Sequence, residues 1–270
     1  MPSPLASDDD LARMMAAHVR RIPPFRALVR ALESALLRRH VQVEAPVLDL
    51  GCGDGSFAAV TLAAPVAHGL DPDAADLARA RRSGVYGSLH EAPAQAIPLP
   101  DGACGLVIAN SVLEHIPDLA GALRETSRVL RPQGSLAITA PCHRFGAGFG
   151  VAVLLDRAGL RSLARRYRTW FNRLSRHHHL LSADQWTARL ADAGFVVVHH
   201  EYYLSPAAMF WFDLLHYVSV PCLLARRTLG RWHWFGQPLL AGAWTAGLLR
   251  LARQPAPNDG ACVFLLARRI

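Results

Sequence analysis

The chain has 270 residues, of which 51% are hydrophobic, and a formal net charge of +8. This length and composition favour one elaborated domain, or a domain with a small appendage, over two independent domains. Its five cysteines are widely spaced and include no Cys-x-x-Cys pair, which argues against a disulfide framework and a zinc site and favours a reducing cytoplasm.

The N-terminal segment, MPSPLASDDDLARMM, carries an acidic cluster where a signal peptide has positive charge followed by an apolar run. Export is therefore not indicated, and a cytoplasmic location is expected. Residues 8–40 have apolar side chains at spacings of three and four on either side of Pro23-Pro24, which predicts helices. We expect residues 1–45 to form an N-terminal helical cover.

Alternating strands and helices are predicted from residue 46 onwards. Predicted strands cover 47–50, 66–70, 84–89, 104–110, 135–141, 195–203 and 261–269, and predicted helices run to about 63 and over 75–82, 119–130 and 183–194. Such alternation indicates an α/β fold: a Rossmann-like, seven-stranded, mostly parallel sheet with helices on both faces. This core takes up residues 46–143, 182–203 and 260–270.

Two long insertions, 144–181 and 204–259, interrupt the alternation, and segments of that length usually carry a function or form a subdomain. The first holds eight arginines and one acid, and the second five arginines and two acids, so the basic character of the chain belongs to the insertions. Four of the six tryptophans also lie in the second insertion, at positions 211, 232, 234 and 244. We expect the insertions to form a basic, aromatic-rich helical cap.

The apolar runs 206–225 and 234–249 do not predict membrane-spanning helices. They are interrupted by Asp213, His216 and Pro221 or are shorter than the ~20 apolar residues of a spanning helix. Tryptophans and arginines beside apolar helices suit the surface of an anionic membrane, here its inner face. The alternative is a lid that packs over an apolar pocket. Both interpretations predict a hydrophobic acceptor.

The sequence VLDLGCGDGSF, residues 47–57, places Gly51, Gly53 and Gly55 directly after an apolar run that contains an acid, Asp49. Such glycines allow a tight turn at the carboxyl edge of a sheet, where ligands of open α/β folds bind. A dinucleotide fingerprint requires a third glycine at position 56, which is Ser56. The carboxylate of Asp49 is placed to pair with a cationic amino-acid moiety.

This stretch resembles motif I of the class I S-adenosylmethionine-dependent methyltransferases. Asp71, which ends the second strand in HGLDPD, matches the family's acid that accepts hydrogen bonds from both ribose hydroxyls. The run from AQAIPLPDG to RVLRPQGSLAITAP is similar to the family's later motifs in the same order. The likeness is to the members that act on small molecules or lipids, such as the type 11 and ubiquinone-biosynthesis methyltransferases.

The resemblance implies S-adenosyl-L-methionine as the cofactor. The implied cofactor-binding residues are Asp49, Gly51, Gly53, Asp71, Pro72, Ala94, Gln95 and Asn110. Pro93 stands where the family often has an acid, so the backbone of Ala94 or the side chain of Gln95 is expected to contact the adenine instead. For Asp71 the alternative is a helix N-cap before ADLARA, a role that aspartate favours.

The implied reaction is methyl transfer to a hydrophobic small-molecule or lipid-linked acceptor, for which the protein supplies alignment and desolvation. Where the acceptor is protonated, a catalytic base is needed, and the candidates are His115 and His143, which each follow a strand. For His115 the alternative is a structural role in packing its own turn. Candidate substrate-binding residues are His178, His179, Tyr202 and Tyr203, although the tyrosines could equally seal the core. Consecutive histidines 177–179 diverge and lack a nearby carboxylate or cysteine, so no metal site is expected.

Two other function classes remain open. The basic insertions could attract RNA, which would make the protein an RNA methyltransferase or binding protein, but the insertions are strongly apolar and no RNA-binding module is found. A protein that binds S-adenosylmethionine for chemistry other than methylation would have the same core motifs. Cofactor binding without methyl transfer would distinguish that class.

Overall fold

Eleven α-helices and seven β-strands occur in the part of the chain that the computed structural model describes, residues 8–62, 65–229, 240–254 and 260–270. The strands are β1 (Val47–Leu50), β2 (Val66–Asp71), β3 (Tyr86–Glu91), β4 (Cys104–Asn110), β5 (Leu130–Pro141), β6 (Phe195–Tyr203) and β7 (Cys262–Arg269). The helices are α1 (Asp8–Val19), α2 (Pro24–His40), α3 (Ser56–Thr61), α4 (Ala74–Ser83), α5 (Leu119–Val129), α6 (Gly150–Arg157), α7 (Arg161–Leu174), α8 (Ala183–Asp192), α9 (Pro206–Val218), α10 (Val220–Leu229) and α11 (Ala241–Ala252).

These elements form two units. The sheet unit comprises residues 40–142, 178–201 and 263–270, and the helical unit comprises residues 1–39, 143–177 and 202–262. Residues 1–39, most of the segment that the sequence predicts to be a helical cover, belong to the same unit as most of the two insertions. Trp232, Trp234 and Arg231, which the sequence suggests as part of a membrane-binding cap, lie outside the described residues.

The sheet has the strand order β3-β2-β1-β4-β5-β7-β6. β1 pairs in parallel with β2 and β4, β2 with β3, and β4 with β5. Every residue of β1 and β4 is buried, as expected for parallel strands that are covered on both faces. The predicted fold class is therefore confirmed, and the carboxyl ends of β1, β2 and β4 lie side by side at one edge.

The fifth strand begins earlier than the sequence predicts, at Leu130 instead of residue 135. Cys104 pairs with Leu130 and Leu106 pairs with Ser135, so a register shift separates the two pairs. The intervening Gln133 has a positive φ of 63°. The Pro-Gln-Gly sequence at this point, outside the predicted strand, forms an irregularity within a continuous strand.

In the helical unit α1 packs on α11, and α6 packs on α7 and α9. The centre of this packing is aromatic, with ring centroids 4.4–6.5 Å apart in edge-on or tilted pairs. These rings belong to Phe25, Phe145, Phe149, Phe171 and Phe212. Helices from the N-terminal segment and from both insertions thus share one core.

Asp213, which interrupts the apolar run of the second insertion, is fully buried in this unit. Its carboxylate accepts hydrogen bonds from the backbone N–H of Val151, at 3.0 Å, and from the Tyr167 hydroxyl. The Val151 contact places negative charge at the N-terminus of α6, where the helix dipole favours it. Burial raises the pKa of Asp213. Among the described residues, every helix is too short or too polar to span a lipid bilayer.

Candidate active site

The turn that follows β1 is held against the end of β2. The backbone N–H groups of Gly51 and Cys52 donate to the Leu70 carbonyl at 2.7 and 3.0 Å, and the N–H of Gly55 donates to the Cys52 carbonyl at 3.1 Å. All three glycines of the motif have positive φ angles, between 53° and 76°, which L-residues with a side chain rarely adopt.

Gly51 and Gly53 have different surroundings. A Cβ atom on Gly51 would stand 2.4 Å from Cγ2 of Val112, a residue that follows β4. At Gly53 no described atom lies within 4 Å of the corresponding position. Gly51 therefore allows close packing of two strand ends, whereas the open space at Gly53 lets a ligand approach the backbone. This cradle fits the cofactor that the sequence implies.

Asp71 is half-buried at the end of β2. Its two carboxylate oxygens accept hydrogen bonds from the backbone N–H groups of Gly53 and Asp73, both at 2.9 Å. Burial raises its pKa. Each oxygen has further acceptor capacity, as two ribose hydroxyls require. The alternative that Asp71 caps α4 is wrong, because Asp73 accepts from the N–H groups of Ala75 and Asp76 and is the N-cap.

Asp49, the third residue of β1, is 3% exposed. One of its oxygens accepts a hydrogen bond of 2.6 Å from the hydroxyl of Tyr86, the first residue of β3. Burial and the Asp49 carboxylate raise the pKa of Tyr86 well above its usual range, so the phenol stays a donor. The sequence does not predict this contact. Tyr86 is an ordinary aromatic residue in a weakly predicted strand, and nothing local to it points to Asp49.

The remaining implied cofactor residues all lie in the sheet unit. Asn110, buried at the end of β4, accepts a 2.9 Å hydrogen bond from the Thr139 hydroxyl. Ala94 is buried, Gln95 half-buried and Pro72 exposed. Asn110 and Ala94 are therefore enclosed by the protein, whereas Pro72 faces solvent.

Arg128, on α5, anchors the loop that follows Ala94 and Gln95. Its guanidinium donates to the carbonyls of Leu99 and Ile97, both at 2.8 Å, and forms an ion pair with Glu125. The N–H of Ile97 in turn donates to Glu125 at 3.0 Å. The hydrogen bond from Arg128 lowers the pKa of Glu125. Glu125 and Arg128 stand one helical turn apart in RETSR, but this local pattern does not indicate that they hold a distant loop.

Three of the predicted histidines come together in the sheet unit. His115 ends a short 3-10 helix, with its side chain 42% exposed and Nε2 3.6 Å from a Glu114 oxygen. The Glu114 carbonyl accepts from the N–H groups of His178 and His179, at 2.8 and 3.2 Å. Nε2 of His179 lies 3.0 Å from the Ile116 carbonyl. The ring of His115 is exposed.

The other candidates lie in the helical unit. His143 is exposed, and the Nε–H of Arg144 donates to its Nε2 at 3.3 Å. Tyr202 is half-buried. Tyr203 is 2% exposed, and its hydroxyl donates to Glu33 at 3.0 Å. Tyr203 is therefore a core residue and not a substrate contact, which agrees with the alternative that the tyrosines seal the core.

Comparison with known proteins agrees with this geometry. Residues 15–200 match a family model described as a methyltransferase domain. The chain is 34% identical over 137 residues to dimethylglycine N-methyltransferase of Parasynechococcus marenigrum, and this alignment covers 46% of this chain and 48% of that protein. It is 31% identical over 189 residues to trans-aconitate 2-methyltransferase of Azoarcus sp., which covers 69% of this chain and 61% of that protein. The matched part of the chain thus spans about half to three-fifths of the length of these relatives.

Among solved structures, the chain is similar to geranyl diphosphate C-methyltransferase from Streptomyces coelicolor A3(2), crystallised with Mg²⁺, geranyl diphosphate and S-adenosyl-L-homocysteine. The TM-score is 0.56, with 17% identity, over 91% of this chain and 84% of the other. At that identity the likeness concerns the fold. Together with the family model and the glycine turn, these comparisons confirm that the chain belongs to the methyltransferase-domain family, within the class I S-adenosylmethionine-dependent methyltransferases.

Proposed function

We propose that the protein transfers the sulfonium methyl group of S-adenosylmethionine to a hydrophobic acceptor, either a small molecule or a lipid-linked one, that carries an anionic group. The glycine turn, Asp49 and Asp71 would hold the cofactor. The relatives named for dimethylglycine and trans-aconitate support a small-molecule acceptor. The hydrophobic part of the proposal depends on the helical unit.

The observation that carries it is a cavity of about 480 Å³ within the helical unit, in the size range of small-molecule sites. Two arginines, Arg144 and Arg157, contribute to a lining that is otherwise apolar. The apolar and small residues of the lining are Ala147, Gly148, Val153, Pro206, Ala207, Met209, Phe210, Trp211 and Ala261. Guanidinium groups beside an apolar wall favour a ligand with an apolar body and a carboxylate or phosphate.

S-adenosylmethionine would supply an activated methyl group, and its carbon–sulfur electron pair would return to sulfur as the acceptor takes the methyl. Asp71 and the turn fix the position of that group, which is the main contribution of a protein to such a step. Where the acceptor atom carries a proton, the exposed imidazole of His115 is the proposed base, because a neutral imidazole can accept a proton. An acceptor that is already nucleophilic needs no base.

A labelling experiment tests the acceptor class. The protein is incubated with methyl-labelled S-adenosylmethionine and, separately, with a lipid extract and a water-soluble metabolite extract. We expect label in the organic phase. Arg157→Gln should raise KM for the anionic acceptor about tenfold, because one charge-assisted contact is lost. Arg161→Gln should leave KM unchanged, because Arg161 is exposed and lies outside the cavity lining. Label confined to water-soluble products would contradict a hydrophobic acceptor, and cofactor binding without transfer would favour non-methyl chemistry.

A location at an anionic membrane surface is the second part of the proposal, and it is favoured by α7. Leu163, Trp170 and Leu174 are each 45–57% exposed and, at spacings of seven and four, share one helix face. Arg166 and Arg173 are exposed three positions after Leu163 and Trp170. Apolar side chains with arginines beside them are typical of helices that lie in the membrane interface.

Sedimentation with lipid vesicles tests this location. We expect the protein to sediment with phosphatidylglycerol vesicles at low salt, and less with phosphatidylcholine vesicles or at high salt. The double variant Trp170→Ser, Leu174→Ser should lose most of the binding, whereas Val43→Ser, an equally exposed apolar residue of the sheet unit, should not. Protein that stays in the supernatant at low salt would show that α7 has no such role.

A further inference from the structure

Three side chains with metal-ligating atoms converge at the edge of the sheet unit. His40 is the last residue of α2, and His199 and Glu201 lie on β6, where positions i and i+2 share a face. Nε2 of His40 is 3.2 Å from Oε2 of Glu201, and Nε2 of His199 is 3.7 Å from the same oxygen. The three ligand atoms all lie within 4.8 Å of one another.

These distances match the spacing of ligands around one ion. Zinc binds histidine nitrogen and carboxylate oxygen at about 2.0–2.2 Å in tetrahedral geometry, which places neighbouring ligand atoms about 3.4 Å apart. Two imidazoles and one carboxylate also form a donor set that binds first-row transition metals in preference to Mg²⁺ or Ca²⁺. Three protein ligands leave a fourth position for water.

The surroundings of these three side chains favour a bound metal ion over a simple ion pair between histidine and Glu201. Nε2 of His199 is buried and has no hydrogen-bond partner within the described residues, so a donor atom is held without a bond. The Phe264 ring packs 5.6 Å from the His40 ring and 6.1 Å from the His199 ring. The side chains of His40, Glu201 and His199 are 21%, 30% and 37% exposed, which leaves an entry path for an ion.

We propose that His40, His199 and Glu201 bind a divalent transition-metal ion of the zinc type. The two imidazole rings are stacked with centroids 4.1 Å apart and planes at 25°. In the sheet β6 is four strands from β1, roughly 19 Å at the usual strand spacing. The ion is therefore structural, fixing the edge strand to His40, and takes no part in methyl transfer.

Zinc titration of the untagged, chelator-stripped chain tests this site, with a chromophoric chelator as competitor. We expect one equivalent of Zn²⁺ per chain and a higher Tm in its presence. His199→Gln and Glu201→Gln should each weaken binding at least about tenfold and abolish the rise in Tm. His200→Gln, an exposed neighbour on the opposite face of β6, should bind within about twofold of the wild type.

The histidine run 177–179 could bind zinc adventitiously, so the double variant His178→Gln, His179→Gln serves as a second control and should retain the tight site. The proposal is overturned if the folded wild type binds no Zn²⁺, if all variants bind equally, or if binding is lost with the 178/179 pair. Titration with S-adenosylhomocysteine in parallel separates these outcomes from a failure of the proposed methyltransferase function.

Discussion

Asp71→Asn is expected to weaken the binding of S-adenosylmethionine by about 100-fold. Both carboxylate oxygens already accept a backbone N–H, so the amide NH₂ group of asparagine would face one of these donors. It would also remove the charge that strengthens hydrogen bonds to the ribose hydroxyls. Hydrogen bonds to charged groups contribute about 1.5–3 kcal/mol each, and a loss of about 3 kcal/mol corresponds to 100-fold. Isothermal titration calorimetry with the cofactor measures it.

Asp73→Asn is the matched control, because it removes the same charge two residues away. Asparagine caps helices as well as aspartate does, so α4 should keep its N-cap and the affinity should change less than about threefold. Equal losses in the two variants would mean that the cofactor responds to local charge alone. An unchanged affinity in Asp71→Asn would refute the assignment of Asp71 to the ribose.

Gly51→Ala is expected to destabilise the protein by about 3 kcal/mol. The positive φ of Gly51 costs a residue with a Cβ about 1–2 kcal/mol. The new methyl group would also stand 2.4 Å from Val112, and overpacking of this kind costs about 1–3 kcal/mol. Urea denaturation monitored by circular dichroism measures the free energy of unfolding.

Gly53→Ala separates the two causes, since it has a positive φ without neighbours within 4 Å among the described atoms. We expect a loss of only about 1–2 kcal/mol there. In the Gly51→Ala background, Val112→Ala should recover part of the lost stability, because it removes the atoms that clash. If Gly51→Ala and Gly53→Ala destabilise equally, packing against Val112 is not the reason for the first glycine.

The parallel core could be predicted from the sequence because its signals are local. β1, β2 and β4 are short apolar runs with an aspartate, an asparagine or glycines at their carboxyl ends, and their bounds agree with the prediction to within one residue. The early start of β5 was missed for the opposite reason. Its residues 131–134 include Pro-Gln-Gly, and they lie within the strand because Leu130 and Ser135, on either side of them, pair with β4.

Within the site, the sequence indicates the glycine turn and Asp71 but not the residues that hold them. Tyr86 reaches Asp49 across 37 positions of sequence, and Arg128 reaches Ile97 across 31. Such contacts depend on which strands become neighbours, which periodicity does not reveal. The same holds for His40, separated by 161 positions from Glu201; only the His-x-Glu pattern of β6 is local.

The helical unit was the least predictable part of the chain. Its helices α6, α7 and α9 are brought together by Asp213, whose position in an apolar run indicates an interruption but not its partners. Buried Tyr203 likewise has its hydrogen-bond partner in Glu33, which lies in the predicted N-terminal helical cover. The polar partner of a buried group is set by tertiary packing, and a single sequence carries no record of it.

The hydrogen bond between Glu33 and Tyr203 joins positions 170 residues apart, which has a consequence for synthesis on the ribosome. At ~5–20 residues per second, α2 emerges roughly 10–30 s before the segment that completes its core. Five of the seven strands, in contrast, belong to the continuous stretch 40–142. The apolar face of α2 is therefore synthesised well before the segment that buries it, whereas most strands of the sheet can pair as soon as they are made.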